Sequence, residues 1–242
     1  MMVVRPDLTG TGRLIPSRPR LDRALAMSTM VAVVDEDRCV GCGICVAICK
    51  YEALRLSEGV SKVDLEKCTG CGGCAASCPN LAINLKYMPL KNIMARARAL
   101  LRTAKLRPEA YEPRLLVFAC DWFSRRGADL GLLRKAPHSS NVRIVKLTCM
   151  SSLDPLAVLD AFLNGADGVL AIGCGREDCN FMESNLLAEE RAKWLGELLS
   201  EVGVEPERFR LELVPFSEAK KITEIAGEML EKLRELGPLR LR

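Results

Sequence analysis

Apolar runs and amphipathic stretches alternate along the second half of the chain. Short apolar runs predict strands at 114–119, 142–147, 168–173 and 208–214. Apolar positions at helical spacing predict helices from Asp154-Pro155 to Asn164-Gly165, near 183–202, and from Ser217 to about Leu236. Because strands that alternate with helices form parallel sheets, we predict an α/β domain with a parallel sheet over residues 114–242.

The first half of the chain contains an internal repeat. The segment "VDEDRCVGCGICVAICKYEALRL" aligns with "VDLEKCTGCGGCAASCPNLAINL" at an offset of 29 residues, and all four cysteines match. Each copy predicts a short strand ("VAVV" or "VSKV"), a glycine-rich cysteine loop, a turn of helix and a second short strand ("ALRL" or "AINL"). Two copies of one small unit indicate a pseudo-twofold domain over residues 31–86.

Two basic segments flank this repeat. Residues 89–107 place apolar side chains at helical spacing and predict an amphipathic linker helix within 87–113. The basic side of this helix is either a solvated face or a partner-binding site. Residues 1–30 are rich in Pro and Arg without a hydrophobic period, which predicts an extended basic arm, either a disordered tail or a docking arm.

Composition narrows the class of protein. The net charge is +4, and the chain has only three Tyr, two Trp and six Phe, so no aromatic series accompanies the basic residues and we expect no nucleic-acid binding. The apolar runs fall short of the roughly 20 residues that span a bilayer, and the N-terminus lacks a secretory pattern. We therefore expect no membrane span and a cytoplasmic location, in which twelve cysteines favour metal or redox chemistry over disulfides.

The repeated cysteine spacing predicts iron-sulfur clusters. In each copy three cysteines lie in one loop, and the fourth points toward the neighbouring copy. In the two-cluster bacterial arrangement that fourth cysteine binds the other cluster. This predicts one [4Fe-4S] cluster bound by Cys39, Cys42, Cys45 and Cys78, and a second bound by Cys68, Cys71, Cys74 and Cys49. A pair of zinc sites is the alternative, but zinc ribbons usually contain two C-x-x-C pairs.

Residues 31–86 resemble the two-[4Fe-4S] bacterial-type ferredoxin domain, which implies an α+β ferredoxin-like two-cluster domain. Lys50 stands where that family usually has a proline, as at Pro79. We expect a softer turn after Cys49 without loss of a ligand. We also expect a higher reduction potential for the cluster that Cys49 binds, because a nearby cation favours the more negative, reduced state.

The remaining four cysteines follow predicted strands. Cys120, Cys149 and Cys174 each lie at the carboxyl end of a strand, and Cys179 lies in the same loop as Cys174. Because the carboxyl ends of parallel strands share one edge of the sheet, these four sulfurs predict a metal site there. The alternative is that they are buried structural cysteines, which pack as small apolar residues.

This half resembles the delta subunit of methyl-viologen-reducing hydrogenase over roughly residues 114–238. The matching segments are "FACDW", "GADL", "NVRIVKLTC", "AFLNGADGVLAIGC", "GREDCNF" and "VGVEPERFRLELVPFSEA". The resemblance implies an electron-transfer subunit with a [2Fe-2S] cluster bound by Cys120, Cys149, Cys174 and Cys179. The chain departs from the family's pattern at Phe123 (usually the second cysteine of a C-x-x-C pair), at Ser151-Ser152 (usually Gly-Arg) and at Asn180 (usually histidine).

The same resemblance implies the partners of the chain. They are a hydrogenase or formate dehydrogenase module and a heterodisulfide-reductase-like flavoprotein, which the chain connects as an electron-transfer subunit. We expect no bond-making catalysis by the chain itself, since its only histidine, His138, lies in a polar loop. The alternative function is a free-standing ferredoxin-type electron carrier with a zinc-binding or regulatory C-terminal domain. A nucleic-acid-binding iron-sulfur sensor is a third hypothesis, which rests only on the basic segments.

Overall fold

The computed structural model describes residues 30–102, 111–122, 133 and 139–241. The predicted basic arm lies outside these residues except for its last position, and so do the end of the predicted linker helix, Phe123 and His138. Within the described part of the chain, no helix is both long and apolar enough to span a membrane.

Two short antiparallel ribbons contain the strands of the first half. The elements are β1 (Ala32–Val34), α1 (Ile44–Ala47), β2 (Leu54–Ser57), β3 (Val60–Val63) and β4 (Ile83–Leu85). β1 pairs with β4 and β2 pairs with β3, so the first strand of each copy pairs with the last strand of the other. The register also repeats, because Val34 lies opposite Ile83 and its counterpart Val63 lies opposite Leu54. The two ribbons are thus related by the pseudo-twofold symmetry that the sequence repeat predicts.

Helix α2 (Leu90–Arg102) follows the first half of the chain and leads toward the second. Its first turn is capped by Asn84, whose side-chain oxygen accepts a hydrogen bond from the Leu90 amide at 3.1 Å. Its buried side chains, Ile93, Ala97 and Leu101, belong to the hydrophobic core of the second half. The predicted amphipathic helix is therefore confirmed over Leu90–Arg102, and its apolar face packs the linker onto the second half.

The second half is built on a four-stranded parallel sheet. Its strands are β5 (Leu115–Cys120), β6 (Val142–Leu147), β7 (Gly168–Cys174) and β8 (Phe209–Val214), in the order β6-β5-β7-β8. The helices are α3 (Pro155–Leu163), α4 (Ser184–Glu201) and α5 (Lys221–Leu236). The two central strands are buried along their whole length, which explains their continuous apolar sequence.

Helices cover both faces of this sheet. On β5, Leu116 and Phe118 face a core that includes α2, α3 and α4, whereas Leu115 and Val117 face a core that includes α5. This alternation follows from the two-residue period of a strand. The predicted parallel sheet is confirmed, and its β5 and β7 strands lie in the middle of a three-layer arrangement.

Helix α5 begins later than the sequence predicts. The sequence pattern starts the helix at Ser217, but Phe216–Glu218 forms a separate 3₁₀ turn and α5 starts at Lys221. The Phe216 amide donates to the carboxylate of Asp178 at 2.9 Å, and the Glu218 amide donates to the Pro215 carbonyl. The turn is therefore held in place by a side chain that lies far away in the sequence.

The basic side of α2 is only partly a solvated face. Arg98 donates from Nε to Oδ2 of Asp160 at 2.9 Å and from Nη2 to Oδ1 at 2.5 Å, which makes a two-pronged ion pair with α3. Asp160 is buried, so this pair fixes α2 against α3. Arg96 and Arg102 on the same helix are exposed.

Candidate metal centres

The first cysteine group surrounds one cavity. Cys39, Cys42 and Cys45 of the first copy line it together with Cys78 of the second copy. Apolar side chains complete the lining, among them Val40, Ile44 and Leu56. Cys42 is exposed, so this cavity lies at the surface of the first half. The structure thus brings together the four cysteines predicted for the first cluster, while their role as ligands stays a prediction.

Backbone amides donate hydrogen bonds to cysteine sulfurs in both copies. The Ser61 amide donates to Cys39 Sγ at 3.3 Å, and 29 residues earlier in the chain its counterpart, the Ala32 amide, donates to Cys68 Sγ at 3.4 Å. The fourth cysteines are bonded in the same symmetric way. The Ala53 amide donates to Cys49 Sγ at 3.4 Å, and the Ala82 amide donates to Cys78 Sγ at 3.3 Å. Amides that point at sulfur stabilise its thiolate form, which is the form that binds iron.

Glycine is required where each cysteine loop passes the other copy. Gly41 has φ +66°, and a Cβ atom there would lie 2.3 Å from the carbonyl oxygen of Gly59. Its counterpart Gly70 has φ +73°, and a Cβ atom would lie 2.0 Å from the carbonyl oxygen of Met30. Only glycine allows this combination of positive φ and close backbone approach, so these residues set the shape of both loops.

The turn after Cys49 keeps its shape without proline. Glu52 follows Lys50 with φ 50°, and its counterpart Leu81 follows Pro79 with φ 52°. The amide of each residue donates to the carbonyl of the preceding fourth cysteine, at 3.0 and 3.1 Å respectively. The backbone is therefore the same in both copies, and Lys50 is exposed. Its expected effects on turn flexibility and on potential stay predictions.

The second cysteine group has no exposed member, whereas Cys42 of the first group is exposed. Burial raises the pKa of the Cys74 thiol, and the nearby sulfurs of Cys71, Cys68, Cys49 and Cys45 raise it further. Cys49 of the first copy is therefore near sulfurs of the second copy, as the crossed arrangement requires, but Cys45 of the first group is near them too, so the crossing stays a prediction. Four cysteines close together suit an iron-sulfur cluster, because its irons bind soft thiolate ligands. The donor set fits.

The remaining four cysteines meet at the carboxyl edge of the parallel sheet. β5 ends at Cys120 and β7 ends at Cys174, and their sulfurs are 3.6 Å apart. Hydrogen bonds with the sulfurs of Cys120 and Cys179 raise the pKa of Cys149, which places Cys149 between them. The Cys149 thiol in turn lowers the pKa of Cys179, and the Phe181 amide lowers it further. Three of the four side chains are buried, in a crevice where such sheets bind ligands.

Four thiols at this edge suit two kinds of metal group. A structural zinc ion takes all four sulfurs to one centre, whereas an iron-sulfur cluster spreads its thiolates over several irons. The [2Fe-2S] cluster at Cys120, Cys149, Cys174 and Cys179 therefore stays a prediction, with zinc as the alternative.

The sequence matches two described families over adjacent segments. Residues 115–237 match "Methyl-viologen-reducing hydrogenase, delta subunit", which is half of the chain, and residues 32–85 match "4Fe-4S dicluster domain". The chain belongs to the methyl-viologen-reducing hydrogenase delta subunit family. The fusion of a delta-subunit domain to a two-cluster domain, which the sequence analysis predicts, is thereby confirmed.

Individual relatives match one or both of these segments. An iron-sulfur subunit of the F420-non-reducing hydrogenase from Archaeoglobus profundus is 37% identical over 132 residues, which are 54% of this chain and 96% of the relative. One of the subunits of the ferredoxin:CoB-CoM heterodisulfide reductase from Methanosarcina mazei is 36% identical over 215 residues, 89% of this chain. The chain spans only 26% of that relative's length. The name of the first relative describes an iron-sulfur subunit, in keeping with the 4Fe-4S dicluster match of residues 32–85.

Two of the departures from the delta-subunit pattern, Ser151 and Ser152, lie where the two halves meet. The Ser151 hydroxyl donates to the carbonyl of Cys71 at 3.0 Å, and the Ser152 hydroxyl donates to the carbonyl of Cys149 at 2.7 Å. The two serines that replace Gly-Arg therefore contact both cysteine groups. Asn180 is exposed.

The second cysteine group and the C-terminal group are neighbours. The Ser151 hydroxyl, two residues from Cys149, donates to the Cys71 carbonyl at 3.0 Å. Burial raises the pKa of Tyr51, and the nearby sulfurs of Cys71, Cys179 and Cys149 raise it further. Tyr51 is therefore close to sulfurs of both groups.

Three residues of this region have no signal in the sequence. They are Tyr51, Ser184 and Arg191, the last of which bonds to both halves of the chain. No local sequence pattern distinguishes them from ordinary core or surface residues. Only the repeat and strand-end positions of the cysteines could be found without the fold.

Proposed function

We propose that the chain carries electrons between a hydrogenase-type module and a heterodisulfide-reductase-like flavoprotein through two [4Fe-4S] clusters and one [2Fe-2S] cluster. One observation carries the proposal, namely that the second cysteine group adjoins the C-terminal group. The Ser151 hydroxyl, two residues from Cys149, donates to the Cys71 carbonyl at 3.0 Å, and a Cβ atom at Gly72 would lie 2.4 Å from the Ser152 Cβ atom. Redox centres that share their surrounding side chains form a continuous route within one chain.

The proposed ligands are the twelve cysteines in three sets. The first [4Fe-4S] cluster is assigned to Cys39, Cys42, Cys45 and Cys78, the second to Cys68, Cys71, Cys74 and Cys49, and the [2Fe-2S] cluster to Cys120, Cys149, Cys174 and Cys179. Clusters of this kind supply one-electron carriers whose potentials depend on charge, hydrogen bonds and solvent exposure. The chain contributes buried thiolates, backbone amides that donate to them, and a sheet edge that excludes water.

The proposed route runs from an exposed end to a buried middle. Cys42 is exposed and its cavity is open at the surface, whereas Cys74 and Cys174 are more deeply placed. Electrons would enter or leave by the first cluster and reach the C-terminal site through the second. The order follows from adjacency, because the loop of Cys71 contacts the turn that follows Cys149 through the Ser151–Cys71 hydrogen bond and the packing of Ser152 on Gly72.

The partners are proposed from the names of the relatives. One relative belongs to an F420-non-reducing hydrogenase and another belongs to a heterodisulfide reductase. Because this chain contains segments similar to both, we propose that it joins modules of these two kinds. A formate dehydrogenase is the alternative electron donor that we propose for the hydrogenase position.

The cluster content can be tested on the full-length protein purified without oxygen. We expect about ten irons per chain and, after reduction, EPR signals of two [4Fe-4S] clusters and a two-iron cluster. Cys174→Ser should remove the two-iron signal and about two irons while both [4Fe-4S] signals remain. Cys45→Ser is the matched control and should remove a [4Fe-4S] signal only. Stoichiometric zinc without a two-iron signal would favour the carrier with a zinc-binding domain.

The partners can be tested separately by anaerobic affinity purification from native cells. We expect a flavoprotein of the heterodisulfide reductase type and a hydrogenase or formate dehydrogenase component to co-purify in fixed ratio. Recovery of the chain alone, with full iron content, would support the free-standing carrier instead.

A further inference from the structure

A buried arginine lies where the two halves of the chain meet. Arg191 belongs to α4 of the second half, and only 7% of its surface is exposed. From Nη1 it donates to the carbonyl of Ser151 at 2.8 Å and to that of Leu153 at 3.2 Å. From Nη2 it donates to Ser77 Oγ at 2.6 Å and to the Gly73 carbonyl at 3.4 Å. One guanidinium therefore binds both halves.

The charge of Arg191 is not neutralised by these bonds. All four acceptors are neutral, three carbonyl oxygens and one hydroxyl. Burial lowers the pKa of the guanidinium, while the nearby Asp154 and the sulfurs of Cys149 and Cys71 raise it. Arginine remains protonated in proteins, so a positive charge is kept in a poorly solvated space.

The guanidinium of Arg191 lies close to cysteines of both groups. Ser151 and Gly73, which accept from it, each lie two residues from a cysteine, Cys149 and Cys71 respectively. These cysteines belong to the C-terminal group and to the second group. A cation in a low-dielectric region favours the more negative state of a neighbouring redox centre, because the attraction is only weakly screened. The reduced state is the more negative one for each cluster.

We propose that Arg191 is a positioning residue that holds the second [4Fe-4S] site against the C-terminal site and raises the reduction potential of both with its buried charge. The inference rests on the proposed function, because it assigns clusters to these cysteine groups. The two roles have different chemical requirements. Positioning depends on the fork of donors that only arginine supplies, whereas the effect on potential depends on the charge.

The test compares variants of the full-length protein in EPR-monitored redox titrations. Arg191→Met should shift the midpoint potentials of the second [4Fe-4S] cluster and the C-terminal cluster downward and leave the first [4Fe-4S] cluster unchanged. Arg191→Lys keeps the charge and should restore both potentials. Both variants should unfold at lower temperature than the wild type, because neither replaces the four hydrogen bonds. A purely structural role would lower stability without moving the potentials, and that result would overturn the proposal.

A second variant keeps the test informative if Arg191→Met loses its clusters. Asp154→Asn removes the negative charge beside Arg191 but can still cap α3, where the Asp154 side chain accepts from the Leu156 amide at 2.8 Å. It should shift the same two potentials upward, and unchanged potentials would contradict the charge effect. If the wild type lacks a two-iron signal, the assignment of the C-terminal cluster fails. The shift of the second [4Fe-4S] cluster then still decides the role of Arg191.

Discussion

Ser152 packs against the backbone of Gly72 so closely that a Cβ atom added at Gly72 would lie 2.4 Å from the Ser152 Cβ atom. Gly72 lies in the second cysteine loop and Ser152 lies in the 3₁₀ turn that follows Cys149. The two halves of the chain therefore touch next to cysteines of both groups. The neighbouring hydrogen bond from Ser151 to the Cys71 carbonyl strengthens the same contact.

We predict that Gly72→Ala separates the two cysteine groups. The new methyl group would displace Ser152, and the positive φ of 84° adds a backbone strain of roughly 1–2 kcal/mol. The variant should unfold at lower temperature than the wild type. It should also weaken the magnetic interaction between the reduced second [4Fe-4S] cluster and the C-terminal cluster, as measured by EPR power saturation.

The sequence repeat offers a matched control for this prediction. Gly43 is the counterpart of Gly72 and has φ 77°, but a Cβ atom there would meet only Leu56, at 3.7 Å. Gly43→Ala should therefore show the backbone strain without the clash, and the interaction between clusters should stay as in the wild type. An equal effect of both substitutions on that interaction would show that Gly72 acts through local strain alone.

We predict that each fourth cysteine binds the cluster of the other copy. Cys78 lines the cavity of Cys39, Cys42 and Cys45, so Cys78→Ser should damage the first [4Fe-4S] cluster and spare the second. Cys49→Ser should do the reverse, because Cys49 is the counterpart of Cys78 in the sequence repeat and its sulfur is near that of Cys74. EPR and Mössbauer spectra of the two variants, recorded at a series of applied potentials, distinguish the two clusters by their midpoint potentials. Damage to the cluster of the same copy in each variant would contradict the crossing.

Regular elements can be predicted from the sequence where burial determines the pattern. The sequence predicts a strand at 168–173, and β7 lies at Gly168–Cys174, because a strand inside a parallel sheet needs a continuous apolar run. α3 begins at Pro155 after the Asp154 cap and ends before Gly165, whose φ is 92°. These signals are local, so they are visible without the fold.

Contacts between distant segments cannot be predicted in this way. The 3₁₀ turn that delays α5 depends on Asp178, and the fixed position of α2 depends on the pairing of Arg98 with Asp160. Arg191 on α4 has the sequence environment of an exposed helical arginine, yet it is buried by the first half of the chain. Nothing in the local sequence pattern indicates which residues will meet there.

We predict that Arg98 stabilises the fold, unlike the other arginines of α2. Arg98→Ala would leave the buried carboxylate of Asp160 without its guanidinium partner, which is unfavourable in a poorly solvated site. Its urea midpoint should fall below that of the wild type, whereas Arg102→Ala, at an exposed position, should change the midpoint little. The double variant Arg98→Ala, Asp160→Asn should be less destabilised than Arg98→Ala. Equal midpoints for Arg98→Ala and Arg102→Ala would rule out a structural role for the pair.

We predict that the exposed arginines of α2 assist docking to a partner. Arg96 and Arg102 are exposed, whereas Arg98 is bound to Asp160, so the docking variant should be Arg96→Gln, Arg102→Gln with Arg98 left in place. Exposed charges steer association and are screened beyond about 10 Å at 0.1 M salt. Association with the co-purified flavoprotein, followed by stopped-flow, should therefore slow at low ionic strength and approach the wild-type rate at high ionic strength.

A charge-matched variant distinguishes this docking effect from a change in net charge. Lys193→Gln, Arg240→Gln removes the same charge from exposed positions elsewhere, and it should leave the association rate closer to that of the wild type. If both double variants slow association equally, the effect is one of overall charge. If neither does, the exposed side of α2 is a solvated face, and its arginines contribute only to solubility.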